Sequence, residues 1–310
     1  MEQRDGGIRD QIVLATKYTA DCQLEAAGPG KRGRTANSGG NHRRSLHVSV
    51  RDSLKRLRTD YIDILYVHWW DYTTSIEEVV DSLHALVQQG KVMYLGVSDT
   101  PAWIVSAANT YAKAHAKTQF SVYSGQWNVL ARDFERDILP MARAYGMALA
   151  PWGVLGSGKW QSPEAVEKRE REGEALRPLL GKKQSAAEVE ISVALARVAA
   201  ELGGTDCSVA QVALAYVFKK AAQYGIYNVF PVVGGRKIEQ LHDNIKGLKL
   251  TLNDRQMEYL EKVQQKVHPF DLGFPATFVG GDPNVTGVAQ PLSARTAFLA
   301  FPGASMSLAK

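Results

Sequence analysis

Lys17 and His68 are the residues whose type and position could do proton-transfer chemistry. Lys17 closes the run Ile12-Val13-Leu14-Ala15-Thr16-Lys17, and His68 closes Tyr61-Ile62-Asp63-Ile64-Leu65-Tyr66-Val67-His68. Each follows an apolar stretch that reads as a buried strand. In a parallel β/α barrel that rim is where catalytic groups are presented. An imidazole exchanges protons near neutrality, and an ammonium lowers the pKa of a neighbouring acid. Together they suggest proton transfer beside a cofactor. Only 16 residues stand upstream of Lys17.

The elements that must position this pair alternate between strand and helix. Residues 11–16, 61–67, 92–97, 118–123, 147–151 and 226–231 read as six strands. A helix begins near Ser45 and places Leu46, Val50, Leu54 and Leu57 on one face. The segment 75–89 does the same with Ile76, Val79, Val80, Leu83 and Leu86, and Gly90 stops it. Thr100-Pro101 opens a third helix, with proline at its favoured first position. Further helices are expected at 133–145, ended by Gly146, and near 187–202, 208–220, 237–246 and 253–265. A polar stretch, 159–188, interrupts the rhythm. Alternation of this kind indicates parallel βαβ units. The expected fold class is α/β, of the (β/α)8 TIM-barrel type. A closed barrel has eight strands, so the first two strands and their helices are expected to be lacking. Residues 1–265 are read as this barrel, incomplete at the N-terminus, and 266–310 as an irregular tail.

Composition excludes several classes. Hydrophobic residues at 45% and charged residues at 22% are ordinary for a globular protein. No apolar run reaches the roughly 18 residues of a membrane span. The start, Met1-Glu2-Gln3-Arg4-Asp5-Gly6-Gly7, has no signal-peptide core. Cys22 and Cys207 cannot make a disulfide framework. They are expected to be reduced packing residues, and the protein cytoplasmic. The net charge of +5 could attract an anionic cofactor. Lys31-Arg32-Gly33-Arg34 and Arg43-Arg44 carry no interleaved aromatics, so they are read as a solvated loop and no nucleic-acid partner is expected. The chain contains no G-x-G-x-x-G, which leaves a Rossmann domain unsupported.

Six motifs carry a resemblance. They are LATKY (14–18), RTDYIDILYVHWWD (58–71), GVSD (96–99), GQWNVL (125–130), APWGVLGSG (150–158) and PVVGGRKIEQLHDN (231–244). In this order and spacing the chain resembles the aldo-keto reductases, and most closely the fungal branch of aryl-alcohol dehydrogenases and norsolorinic acid reductases. The resemblance implies reduction of carbonyls with NADPH on a β/α barrel, by a set of Asp, Tyr, Lys and His. Lys17 matches the lysine that lowers the tyrosine's pKa, and His68 the histidine that orients the carbonyl. The family's Asp and Tyr would precede Lys17 by more residues than stand upstream, and Tyr18, adjacent on an extended segment, points to the other face.

For the cofactor, the resemblance implies NADP(H). Ser98 and Asp99 match the Ser-Asn pair on the nicotinamide carboxamide, with Asp99 lacking the amide donor. Trp152 matches the aromatic stacked on the nicotinamide, and Gly153, Val154, Leu155 and Gly156 match the loop along the pyrophosphate. Ser124 stands where a glutamine usually reaches the carboxamide. Val233, Gly234, Gly235, Arg236 and Lys237, with Gln240 and Asn244, match the adenosine end, where the two cations favour a 2′-phosphate. His68, Trp69 and Trp127 are the expected substrate contacts. Trp70, Trp160, Phe270, Phe274 and Phe278 add to an aromatic mouth suited to a bulky apolar aldehyde or ketone. The expected function is an NADPH-dependent reductase of a small carbonyl or alcohol in fungal secondary metabolism. The alternative is a cofactor-binding or regulatory protein without turnover.

Overall fold

The computed structural model describes residues 8–20, 39–161, 171, 184–203 and 206–269. The chain divides into two compact units. Among the described residues there are five strands and eight α-helices. None of these helices is long and apolar enough to cross a membrane.

The first unit runs to Gly125 and includes 144–147. It holds β1 (Ala15–Tyr18), β2 (Ile62–Val67), β3 (Val92–Ser98) and β4 (Phe120–Ser124). Each pairs with the next in parallel. Three helices connect them: α1 (Arg43–Leu57), α2 (Ile76–Gln88) and α3 (Ala102–Ala114). Parallel strands need such crossovers. The apolar stripe predicted for α2 is buried through Val79, Val80 and Leu83. Ser75 caps that helix by accepting the amide of Glu78.

β1 begins four residues later than the apolar run suggests. The Asp63 carboxylate accepts the Leu14 amide at 2.9 Å, and the Leu14 carbonyl accepts the amides of both Asp63 and Ile64. Those bonds occupy the polar groups that a ladder would use, so regular pairing starts at Ala15. Lys17 therefore lies inside β1, opposite Tyr66 of β2.

The second unit comprises 126–143 and 148–310. It contains α4 (Ile138–Ala144, ending in the first unit), β5 (Ala148–Leu149), α5 (Ala186–Gly203), α6 (Val209–Gln223), α7 (Ile238–Gly247) and α8 (Asp254–Val267). The helix predicted over 133–145 is a 3-10 turn, Asp133–Glu135, followed by α4. Where the sequence suggests strands at 147–151 and 226–231, the structure has β5 and two isolated bridges, Leu149 to Val229 and Trp152 to Val232. The reason is Pro151. Leu149 both donates to Asn228 and accepts from Phe230, and the Pro151 carbonyl accepts from Val232. Pro151 has no N–H with which to return a bond, so the ladder breaks there. The expected tail lies outside the described residues from Phe270 onward, as do Cys22, Phe274, Phe278 and the Lys31–Arg34 run.

Candidate active site

In the first unit the chemistry gathers at the carboxyl ends of the strands. Lys17 extends its Nζ to within 3.4 Å of the Ser98 Oγ. The Ser98 hydroxyl donates onward to Asp99 Oδ2 at 2.7 Å. Asp99 sits at φ 46°, a left-handed position that Asp tolerates better than bulkier residues, and its amide donates to the Ser124 carbonyl. Ser98 and Ser124 are opposite each other across β3 and β4. Burial pushes the Lys17 ammonium below its ordinary pKa, and the Asp99 charge opposes that shift.

Tyr66 forms the floor beneath Lys17. Its ring centroid lies 5.3 Å from Nζ, and burial raises its hydroxyl to about 12. The same ring explains the first letter of GVSD. A Cβ on Gly96 would stand 2.5 Å from the Tyr66 ring, so only glycine fits. Tyr18 is on the other face, as expected for a neighbour of Lys17. Its hydroxyl donates to the Asn41 carbonyl, and burial holds it far above its ordinary pKa.

His68 follows β2 directly. Its amide donates to the Tyr18 carbonyl at 3.1 Å, which fixes the rim end of β2 against β1. The imidazole packs against Trp69 with centroids 4.6 Å apart. Trp69 is 42% exposed, so it can meet a ligand. A loop clamp holds this pair in place. Buried Asn41 donates from its side chain to the Trp69 carbonyl and accepts the Asp71 amide. Asp71 in turn accepts the amides of Asn41, Thr73 and Thr74. Burial raises the Asp71 pKa, but these bonds outweigh it and hold the carboxyl below its usual range.

In the second unit Trp152 is half-buried, and its carbonyl accepts the Trp127 amide at 3.2 Å. Gly153 and Gly156 both take positive φ. A Cβ on Gly156 would stand 2.5 Å from the Trp160 indole, whose N–H donates to the Val154 carbonyl. The Val154 side chain is core, so its contribution to a ligand is limited to backbone; Leu155 is half-buried. Farther along, Val233, Gly234, Gly235, Arg236 and Lys237 are exposed at the start of α7. Gln240 is exposed, but its side-chain oxygen is engaged by its own turn. Its Oε1 accepts the amides of Arg236 and Lys237, which shapes the turn. Asn244 is buried in α7.

Trp127 departs from its expected role as a substrate contact. Its ring is 0% exposed, stacks on Phe134 at 5.4 Å, and donates its N–H to Glu135. A ring with no free face cannot wall a pocket. Trp160 is likewise core.

Each unit, taken by itself, offers residues suited to part of a nicotinamide dinucleotide. The Ser124 Oγ is buried with no partner among the described residues, beside the Ser98–Asp99 pair. It is a polar atom suited to a carboxamide. The glycine turn at 153–156 allows close backbone approach, and the start of α7 is exposed and basic, a setting for phosphate. Sequence reasoning missed Tyr66 and the Asn41–Asp71 clamp. Tyr66 and Asp71 both lie within RTDYIDILYVHWWD, but a strand tyrosine and a loop aspartate are ordinary until their partners are known.

A sequence profile described as the aldo/keto reductase family matches residues 2–265. A protein named probable aryl-alcohol dehydrogenase from Saccharomyces cerevisiae is 60% identical over 295 residues, covering 95% of this chain and 85% of that protein. An aryl-alcohol dehydrogenase [NADP(+)] from Phanerodontia chrysosporium is 47% identical over 90% of this chain and 70% of its own length. Norsolorinic acid reductase B from Dothistroma septosporum is 47% identical over 91% of this chain and 66% of its own length. With that profile spanning most of its length and these relatives alongside, the chain belongs to the aldo/keto reductase family.

Proposed function

We propose that the protein is an NADP(H)-dependent oxidoreductase interconverting an aryl or bulky apolar alcohol with its carbonyl. The observation that carries this reading is the Lys17–Ser98–Asp99 line at the strand ends, at 3.4 and 2.7 Å. It sets a cation beside a pair able to grip a carboxamide. The names of the relatives from Saccharomyces and Phanerodontia support the substrate class, and the latter name supports NADP. A cofactor-binding protein without turnover is not favoured, because these relatives are named for catalysis. A cytoplasmic setting and a place in secondary metabolism belong to the same proposal.

When bound, the nicotinamide supplies the electron pair exchanged with the carbonyl carbon. The first unit contributes the remaining chemistry. Ser98, Asp99 and Ser124 orient the carboxamide. His68 hydrogen-bonds the carbonyl oxygen and gives it the proton that turns the alkoxide into the alcohol, taking that proton back in the reverse direction, and Trp69 offers an aromatic wall beside it. As charge develops on that oxygen, Lys17 and His68 stabilise it from fixed positions, which costs no reorganisation. Lys17 also lowers the pKa of any hydroxyl acid placed near it. The second unit offers the Trp152 ring for stacking and Arg236 and Lys237 for a 2′-phosphate.

The test is direct binding of NADPH and NADH to the 310-residue chain by calorimetry. NADPH is expected to bind at least tenfold tighter, and the joint Arg236→Ala, Lys237→Ala variant to erase that preference. Equal binding of both cofactors by the parent chain would sink the assignment of the two cations.

A further inference from the structure

Four ionisable side chains in the second unit form a charge-balanced cluster that the proposed reaction does not use. Glu135, 0% exposed, accepts Arg132 Nε at 2.9 Å and Nη2 at 2.7 Å. Lys220, 1% exposed, lies 3.9 Å from Glu135 and 2.9 Å from Glu261. Arg132 also reaches Glu261 at 3.7 Å. Gln264 donates to the Leu130 carbonyl. Such a cluster is a poor route to stability, because desolvation cancels much of the attraction and an apolar core would serve as well. What an apolar core could not do is aim a hydrogen bond. Glu135 has one more partner, the indole N–H of Trp127, at 3.2 Å.

From Trp127 the connection continues to the cofactor turn. The Trp127 amide donates to the Trp152 carbonyl at 3.2 Å. The next residue, Asn128, donates from its side chain to the Gly153 carbonyl at 3.0 Å. Its other side-chain atom accepts the amides of Leu130 and Ala131, which closes the loop leading to Arg132. Two consecutive residues, Trp127 and Asn128, thus hold two consecutive carbonyls, Trp152 and Gly153. The Trp127 ring stacks on Phe134 and gives its N–H to the Glu135 carboxylate.

We propose that Glu135 is a positioning residue which, through the Trp127 indole, sets the Trp152–Gly153 turn that takes NADP(H). The inference rests on the cofactor reading above. Glu135 touches neither cofactor nor substrate. Its part is to keep the Trp152 and Gly153 carbonyls, and so the backbone of the turn, in one orientation before binding, so that less ordering is left to do on association.

Trp127→Phe in the 310-residue chain is the clean test, because it keeps the stack on Phe134 and leaves Arg132 on Glu135. Glu135→Gln is the second variant, and Ile191→Val in the α5 core is a control for lost stability. Two readouts are taken, NADPH affinity and amide hydrogen exchange of the ligand-free chain. Trp127→Phe and Glu135→Gln are each expected to weaken NADPH by fivefold or more. Both should also speed exchange of the Trp127 and Gly156 amides, while Ile191→Val leaves both readouts as in the parent. NADPH affinity within twofold of the parent, or unchanged exchange at Trp127, would overturn the proposal. If the parent chain bound no NADPH while Trp127→Phe still accelerated exchange, the cofactor reading would fall and the Glu135 link to the turn would stand.

Discussion

In the proposed reaction Lys17 supplies the cation, and its environment sets a pH dependence. Burial lowers its pKa and Asp99 works against that. The ammonium is present below the folded pKa and is lost as pH rises through it, so activity should decline on the alkaline side earlier than for an ordinary lysine. Asp99→Asn removes the opposing charge. The alkaline limb of the pH–rate profile should then move to lower pH; a limb that moves up or stays would show that Asp99 does not act on Lys17. His68→Ala should lower kcat/KM by roughly 10²–10⁴-fold, the usual worth of a proton-transfer group, with NADPH affinity unchanged. At this scale the motifs single out Lys17, His68 and Ser98, and the structure brings Lys17 to Ser98. Tyr66 and Glu135 were not legible, since their meaning comes from a ring crossing a neighbouring strand and from a buried cluster assembled from α6, α8 and the loop after β4. Trp127 was read as a substrate contact because an aromatic near a predicted rim looks the same in sequence whether its face is free or packed.

Strands and loops position these groups, and two of them make separate predictions. In β3, Gly96→Ala would drive a methyl into the Tyr66 ring. Overpacking of this kind costs about 1–3 kcal/mol, and displacing the ring also displaces the floor under Lys17. Denaturant unfolding should show that loss together with reduced turnover; unchanged stability would mean the ring moves freely. In the loop after β2, the Asp71 carboxyl has a folded pKa below its ordinary 3.8. Its contribution is therefore fully present above 3.8 and is lost as pH falls through the lower folded value. Asp71→Asn should lower Tm at neutral pH and flatten the acid limb of the stability curve; an acid limb identical to the parent's would contradict the clamp. Element order was legible from hydrophobic periodicity, down to the buried stripe of α2. Boundaries failed where a local hydrogen bond competed with the ladder, at Leu14, or where a proline interrupted it, at Pro151. Neither event leaves a periodic signature.

At the scale of the whole molecule, the parallel sheet with its crossover helices and the match over residues 2–265 identify an α/β protein of the aldo/keto reductase barrel type. Its two units carry different candidate groups: Lys17, His68 and the Ser98–Asp99 pair on one, and the Trp152 turn and the basic start of α7 on the other. A ligand that binds only the folded state raises its stability by mass action. NADPH at a hundred times its Kd should therefore add about 2.7 kcal/mol. The Arg236→Ala, Lys237→Ala protein should show a smaller rise in Tm at the same concentration.

The most direct measurement is NADPH consumption by the purified 310-residue chain with a panel of aromatic aldehydes and bulky ketones, run beside Lys17→Met. The account predicts turnover with at least one aryl aldehyde, reduced about a hundredfold or more in Lys17→Met, while both proteins bind NADPH alike. Turnover that survives the loss of Lys17, or a folded chain that binds NADPH and reduces none of the panel, would contradict it.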